Sequence, residues 1–180
     1  RQDVEIRPNV SGFITKLCVD EGSVVRKGQV LFEIDPVQYQ EAVNIAEASV
    51  NVAKASVGTA RLTAENKRQL FGKNIISEYD MRMAENTLAQ AEAQLAQAEA
   101  QLVNARKNLS YTKVTSPSNG VVGKVPFRVG SLVGPTSSVA LTTVSDDSQM
   151  YAYFSLNEKE ILDLLRRSEG SVQGALSQMP

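Results

Sequence analysis

Nucleophilic, acid–base and metal chemistry each need particular side chains at particular spacings, and this chain holds few of them. It has no histidine, which removes the commonest general base and the commonest metal ligand. Its single cysteine, Cys18, excludes an internal disulfide and any paired-cysteine metal knuckle. With no histidine or cationic cluster at hand to lower its pKa, Cys18 reads as an inert thiol on the polar face of a strand. Two carboxylate pairs remain, Asp146 with Asp147 on a turn and Glu158 with Glu160 on a helix face. Nothing in the sequence separates an acid from a base in either pair, and both read as solvated. With 19 basic and 20 acidic side chains the net charge is -1, so no global field exists to hold nucleic acid. The expectation is a non-enzymatic chain with no metal, no cofactor and no nucleic-acid partner.

The elements fall into three stretches. Across its 180 residues the composition, 42% hydrophobic and 22% charged, is that of a folded protein. The chain opens at Arg1 without an initiator methionine, a signal-like apolar region or a membrane-length apolar run, and reads as a fragment or processed form. From residue 4 to 34, apolar residues alternate through Phe13, Thr15, Leu17 and Val19, the period of half-buried strands. Strand and turn chemistry returns from Tyr111 to Val144, punctuated by Pro117, Gly120, Gly130 and Pro135. A shift of 108 positions places Gly120 on Gly12, Lys124 on Lys16, Gly130 on Gly22 and Val133 on Val25. The two stretches are copies of one motif. Neither buries a core alone, so they are expected to pack face to face in one small sandwich.

Between them, Pro36 to about Leu109 is rich in Ala, Gln, Glu and Leu, a helical composition. Met81, Ala84, Leu88, Ala91, Leu95, Ala98 and Leu102 alternate spacings of three and four, and Val43, Ala46, Val50, Ala53, Val57 and Ala60 do the same. Two heptad seams of matching length predict an antiparallel coiled-coil hairpin, an arm on the order of 50 Å long. Asp35 is expected to cap the first helix, with Pro36 at its first position and Gln38 completing a capping box, and Gly72 to close it in the left-handed conformation. Ser77 is expected to cap the second helix, at about 1 kcal/mol. A turn from Gly72 to Ile76 sets a register that pairs Lys54 with Glu92 and Arg61 with Glu85. Leu70, Phe71, Ile75 and Ile76 gather at the tip, the most solvent-exposed place on the arm, where apolar side chains suggest docking. Phe71 and Ile76 belong to the seam and to a staple across the turn, which leaves Leu70 and Ile75 as the contacts.

The doubled β motif resembles biotinyl and lipoyl carrier domains, with the helical arm in place of the modified hairpin tip. Lys113 stands near the junction, but no Asp-Lys or Met-Lys-Met modification sequence surrounds it. The order Phe32-Glu33-Ile34-Asp35-Pro36, helical hairpin, then Leu109 to Pro117 with Gly120 after it, resembles the periplasmic adaptor, or membrane fusion protein, family over nearly the whole chain. The short arm is most similar to adaptors of resistance-nodulation-division (RND) multidrug efflux pumps. That resemblance implies an α+β fold: a split lipoyl-like sandwich in two halves (1–35 and 110–145), an inserted hairpin (36–109) and the start of a β-barrel (146–180). The barrel would begin with a strand from Met150 to Leu156 and a helix from Glu158 to Arg167. It further implies a periplasmic location at the inner membrane, an inner-membrane RND transporter and a TolC-type outer-membrane channel as partners, and self-association as a hexamer. The family's tip pattern of arginine, leucine and serine falls on Asn66, Leu70 and Ser77, with Gly72 between. Arg68 is the cation that would stand in for the missing arginine, so the docking set is Arg68, Leu70, Gly72, Ile75 and Ser77. The rival readings are a biotinyl or lipoyl carrier, an adaptor of an ABC-type exporter and a free-standing coiled-coil module.

Overall fold

The computed structural model describes residues 2–146. The carboxylates Asp147, Glu158 and Glu160, the strand expected at Met150 to Leu156, the helix expected at Glu158 to Arg167 and nearly all of the barrel segment lie outside the described residues.

Among the described residues eight short strands and two long helices follow one another: β1 (Gln2–Ile6), β2 (Gly12–Leu17), β3 (Val24–Val25), β4 (Val30–Ile34), α1 (Val37–Gly72), α2 (Glu78–Ser110), β5 (Lys113–Thr115), β6 (Gly120–Val122), β7 (Leu132–Val133) and β8 (Thr142–Asp146). The strands form two four-stranded sheets, ordered β1-β8-β6-β3 and β5-β4-β2-β7. The internal repeat maps one sheet onto the other, and each sheet borrows strands from both copies. Matching hydrogen bonds express this symmetry. Gly22 N–H donates to the Val122 carbonyl at 2.9 Å, and Gly130 N–H donates to the Ile14 carbonyl at 2.8 Å. Both glycines sit at positive φ, +79° and +90°, where a Cβ is strained. Leu31, Phe32, Ile34, Val122, Leu141 and Val144 are almost wholly buried between the sheets, so neither copy could keep its core dry without the other.

One face assignment differs from the alternation. Phe13 is exposed, and its neighbour Ile14 fills the core at 1% exposure. The pairing of β2 with β4 shifts between Ile14 and Lys16. Such a bulge adds a residue to one strand and breaks the period-two rule on which the alternation rests.

The arm leaves from β4 and returns into β5, and these strands are antiparallel neighbours with Glu33 opposite Lys113. The two helix ends are thereby held side by side. At the start of α1, Asp35 Oδ1 accepts from Val37 N–H at 3.1 Å. Gln38 does not complete a capping box; its Nε2 donates to the Ser11 carbonyl at 3.4 Å. Along the seam Val43, Val50, Val57, Ala60 and Ala64 of α1 and Ala84, Ala91 and Ala98 of α2 are buried.

Candidate functional site

At the far end of the arm the chain turns between α1 and α2 through Lys73 to Ser77. Gly72 remains helical, and the left-handed residue is Asn74, at φ 56°. Asparagine tolerates that region because its short amide serves the local backbone. The expected glycine cap is therefore replaced by an asparagine two residues on, with Lys73 N–H and Ile75 N–H both donating to the Leu70 carbonyl, at 3.2 and 3.0 Å. The ion pairs across the arm also differ from those expected. The arm pairs Arg61 with Glu92 at 3.3 Å, Arg68 with Glu85 at 2.6 Å and Arg106 with Glu47 at 2.7 Å. Arg61 thus reaches Glu92, one heptad further along α2 than the expected Glu85, and Glu85 is taken by Arg68, so Lys54–Glu92 and Arg61–Glu85 are not the pairs formed.

Ser77 begins α2 as expected. Its Oγ accepts from Asp80 N–H at 3.2 Å while its hydroxyl donates to Asp80 Oδ2 at 2.6 Å. The hydroxyl hydrogen bond from Ser77 is the main reason that the Asp80 carboxyl lies below the ordinary carboxylate range.

The five expected docking residues all lie at this tip, with different freedoms. Ile75 is 63% exposed, and Gly72 is open, with no atom within 4 Å of where a Cβ would stand. Leu70 is half-buried. Arg68 is exposed but its guanidinium is held by Glu85, and Ser77 is engaged as the cap. Further apolar side chains are exposed beside them. Tyr79 and Met83, four residues apart on one face of α2, are 71% and 49% exposed just beyond Ile75 in the turn. That spacing was visible in the sequence, but tracing only the inward seam through Met81 and Ala84 passed over it.

Residues 2–145 match the family described as RND MFP, barrel-sandwich hybrid domain. The chain belongs to this membrane fusion protein family. Over 176 residues it is 37% identical to the multidrug efflux pump subunit AcrA of Escherichia coli K12, covering 97% of this chain and 43% of that protein. It is 35% identical over 175 residues to the efflux pump periplasmic linker BepD of Brucella suis, covering 96% of this chain and 44% of that protein. A crystal structure of a MacA-MexA chimera carrying the Pseudomonas aeruginosa MexA α-hairpin domain superposes with a TM-score of 0.55. It is 33% identical and covers 81% of this chain and 46% of the chimera. The chain thus spans less than half the length of these family members.

The residues that could do chemistry lie elsewhere and apart. Cys18 is exposed and free. Lys113 stands on β5 opposite Glu33, within a ladder and not on a projecting turn. Among the described residues no group of His, Cys, Asp or Glu is arranged to hold a metal, and no helix is long and apolar enough to cross a membrane.

Proposed function

We propose that this chain is part of a periplasmic adaptor subunit of a tripartite efflux pump, linking an inner-membrane RND transporter to a TolC-type outer-membrane channel for export of drugs or other small molecules. Residues 1–35 and 110–145 make the lipoyl-like base, 36–109 the arm and 146–180 the beginning of a barrel domain. The base gathers copies side by side, as a hexamer in the assembly, and the arms project together across the periplasm. Arg68, Leu70, Gly72, Ile75 and Ser77 form the channel-docking tip, joined by Tyr79 and Met83. Catalysis has no part in this role.

The observation that carries the reading is the placement of exposed Ile75 and Tyr79 at the end of a two-helix arm, the place where solvation most favours polar residues. Arg68, although paired with Glu85, is 66% exposed, and a guanidinium has further donors to offer a carbonyl or carboxylate. The test is binding of the arms, tethered as oligomers for avidity, to the outer-membrane channel encoded beside the gene. Ile75→Asp and Leu70→Asp each abolish binding with circular dichroism unchanged. Equal binding by wild type and both variants would reject the tip as the docking surface.

A further inference from the structure

The alternation of β2 expects Phe13 in the core, yet its ring is 55% exposed. Directly across the ladder Leu132 of β7 is 65% exposed, and Val37, in the first turn of α1, is 65% exposed as well. These three large apolar side chains, from two strands and a helix, line one cavity of about 420 Å³ at the root of the arm. A cavity of that size holds a small ligand. The internal symmetry of the fold does not demand such bulk there. A shift of 108 positions carries Phe13 onto Val121 and Leu132 onto Val24, and those two valines pair with each other in the same way. The larger pair is the one beside α1.

The charge at this cavity is negative. Of its lining residues only Asp35 is ionisable. Asp35 is half-buried, its Oδ1 accepts from Val37 N–H at 3.1 Å, and among the described residues no Lys or Arg pairs with the carboxylate. Gln38 and Ser11 stand beside it, already joined by the hydrogen bond from Gln38 Nε2 to the Ser11 carbonyl. An ionised carboxylate only accepts hydrogen bonds, and one backbone N–H leaves most of its lone pairs open.

These features select the ligand by its charge. A neutral apolar molecule would strip water from Asp35 and give nothing back. An anion would be repelled. A protonated amine returns a charge-assisted hydrogen bond to the carboxylate, and an aromatic ring such as that of Phe13 adds attraction for a cation.

We propose that this cavity binds a small organic cation, its ammonium group against Asp35 and its apolar body against Phe13, Val37 and Leu132. The site goes beyond the adaptor role and does not depend on it. A ligand seated there touches β2 and β7 on one side and the first turn of α1 on the other, and so ties the arm to its base.

The test titrates the whole chain with naphthylmethylammonium, followed by amide NMR shifts, and compares naphthylmethanol, which has the same ring system and no charge. The ammonium compound shifts the Phe13, Gln38 and Leu132 amides and saturates with a Kd on the order of 1 mM. The alcohol binds about tenfold more weakly. Asp35→Asn keeps a side-chain oxygen for Val37 N–H, so circular dichroism is unchanged, yet the two ligands then bind alike. Phe13→Ala removes an exposed ring, leaves the fold intact and weakens both ligands about fivefold. The comparison of the two ligands on wild type needs neither variant. Equal binding of both by wild type, an undiminished preference in Asp35→Asn, or shifts confined to other surfaces would each overturn the proposal. So would a titration that does not saturate below about 10 mM.

Discussion

Replacing Gly120 and Gly12 by alanine probes the packing of the two copies at related positions with unequal surroundings. A methyl at Gly120 would collide with the Ser145 carbonyl oxygen and lie 2.8 Å from its carbon, whereas a methyl at Gly12 would meet Ile34 Cγ2 at 2.6 Å. The first obstacle is backbone of β8, held by the ladder that pairs Val121 with Ser145 and Val122 with Val144. It cannot retreat without opening that ladder. The second is the Cβ-branched methyl of Ile34, which is buried and moves only by turning χ1, but no ladder has to open for it to do so. Overpacking costs about 1–3 kcal/mol. The backbone collision belongs at or above the upper end, about 3 kcal/mol, and the side-chain collision lower, about 1–2 kcal/mol. At about 2–4 °C per kcal/mol for a chain of this size, Gly120→Ala lowers the melting temperature by about 6–12 °C. Gly58→Ala, in open space at helical φ, gains about 0.5–1 kcal/mol in the monomer. Tyr39 and Tyr111 pack against the sandwich core and the chain has no tryptophan, so tyrosine near-ultraviolet dichroism follows this unit during thermal melting. The reasoning is refuted if Gly120→Ala melts no lower than Gly12→Ala, or if Gly58→Ala melts below wild type.

Two further outcomes follow from the arm. Ser77→Ala removes the main cause of the lowered Asp80 pKa, so the Asp80 titration followed by carboxyl NMR moves up toward the ordinary value of about 3.9. Because the folded pKa is the lower one, this group's contribution to stability is complete above about pH 4 and is lost as pH falls through the folded pKa. Acid unfolding of Ser77→Ala therefore shows a shallower loss in that window than wild type, and identical acid profiles would contradict the assignment. A double-mutant cycle on Arg68 and Glu85 by urea unfolding gives a coupling of about 0.2–1 kcal/mol. The same cycle on Arg61 and Glu85 gives none, and the reverse ranking would mean that Glu85 pairs with Arg61 and not with Arg68.

The repeat was legible because turn glycines such as Gly22 and Gly130 stand for a backbone conformation that few other residues adopt. The outward turn of Phe13 was not, since a bulge leaves no mark in an alternation read two residues at a time. The hairpin itself was legible from its seams, but the ion pairs across it were not. Glutamates recur every seven residues beside the seam, so Arg61 has both Glu85 and Glu92 to choose from, and the seam alone does not say which it reaches. Gly72 was the obvious stop, yet nothing about a glycine forces positive φ, and Asn74 served instead. The place of Leu70, Ile75 and Ser77 at the end of the arm was legible because they flank the turn between the helices. Tyr79 and Met83 were passed over because a search for the inward seam does not weigh what points away.

The alanines of the seam set a condition on the rest of the molecule. Alternating Ala with Val or Leu brings two helices close but buries much less apolar area per turn than a seam of leucines. Such a hairpin needs both its ends closed. At the tip the turn does this with the Leu70 carbonyl and the Ser77 cap. At the root the sandwich does it: Glu33 pairs with Lys113, Ile34 N–H donates to the Thr112 carbonyl at 2.8 Å, and the Tyr39 hydroxyl donates to the Ser11 carbonyl at 2.7 Å. Closing the second end leaves the helices little freedom to slide or splay. The β-domain therefore helps to set the register and direction of the arm as well as carrying it, which ties the position of Ile75 to strand pairing at the opposite end.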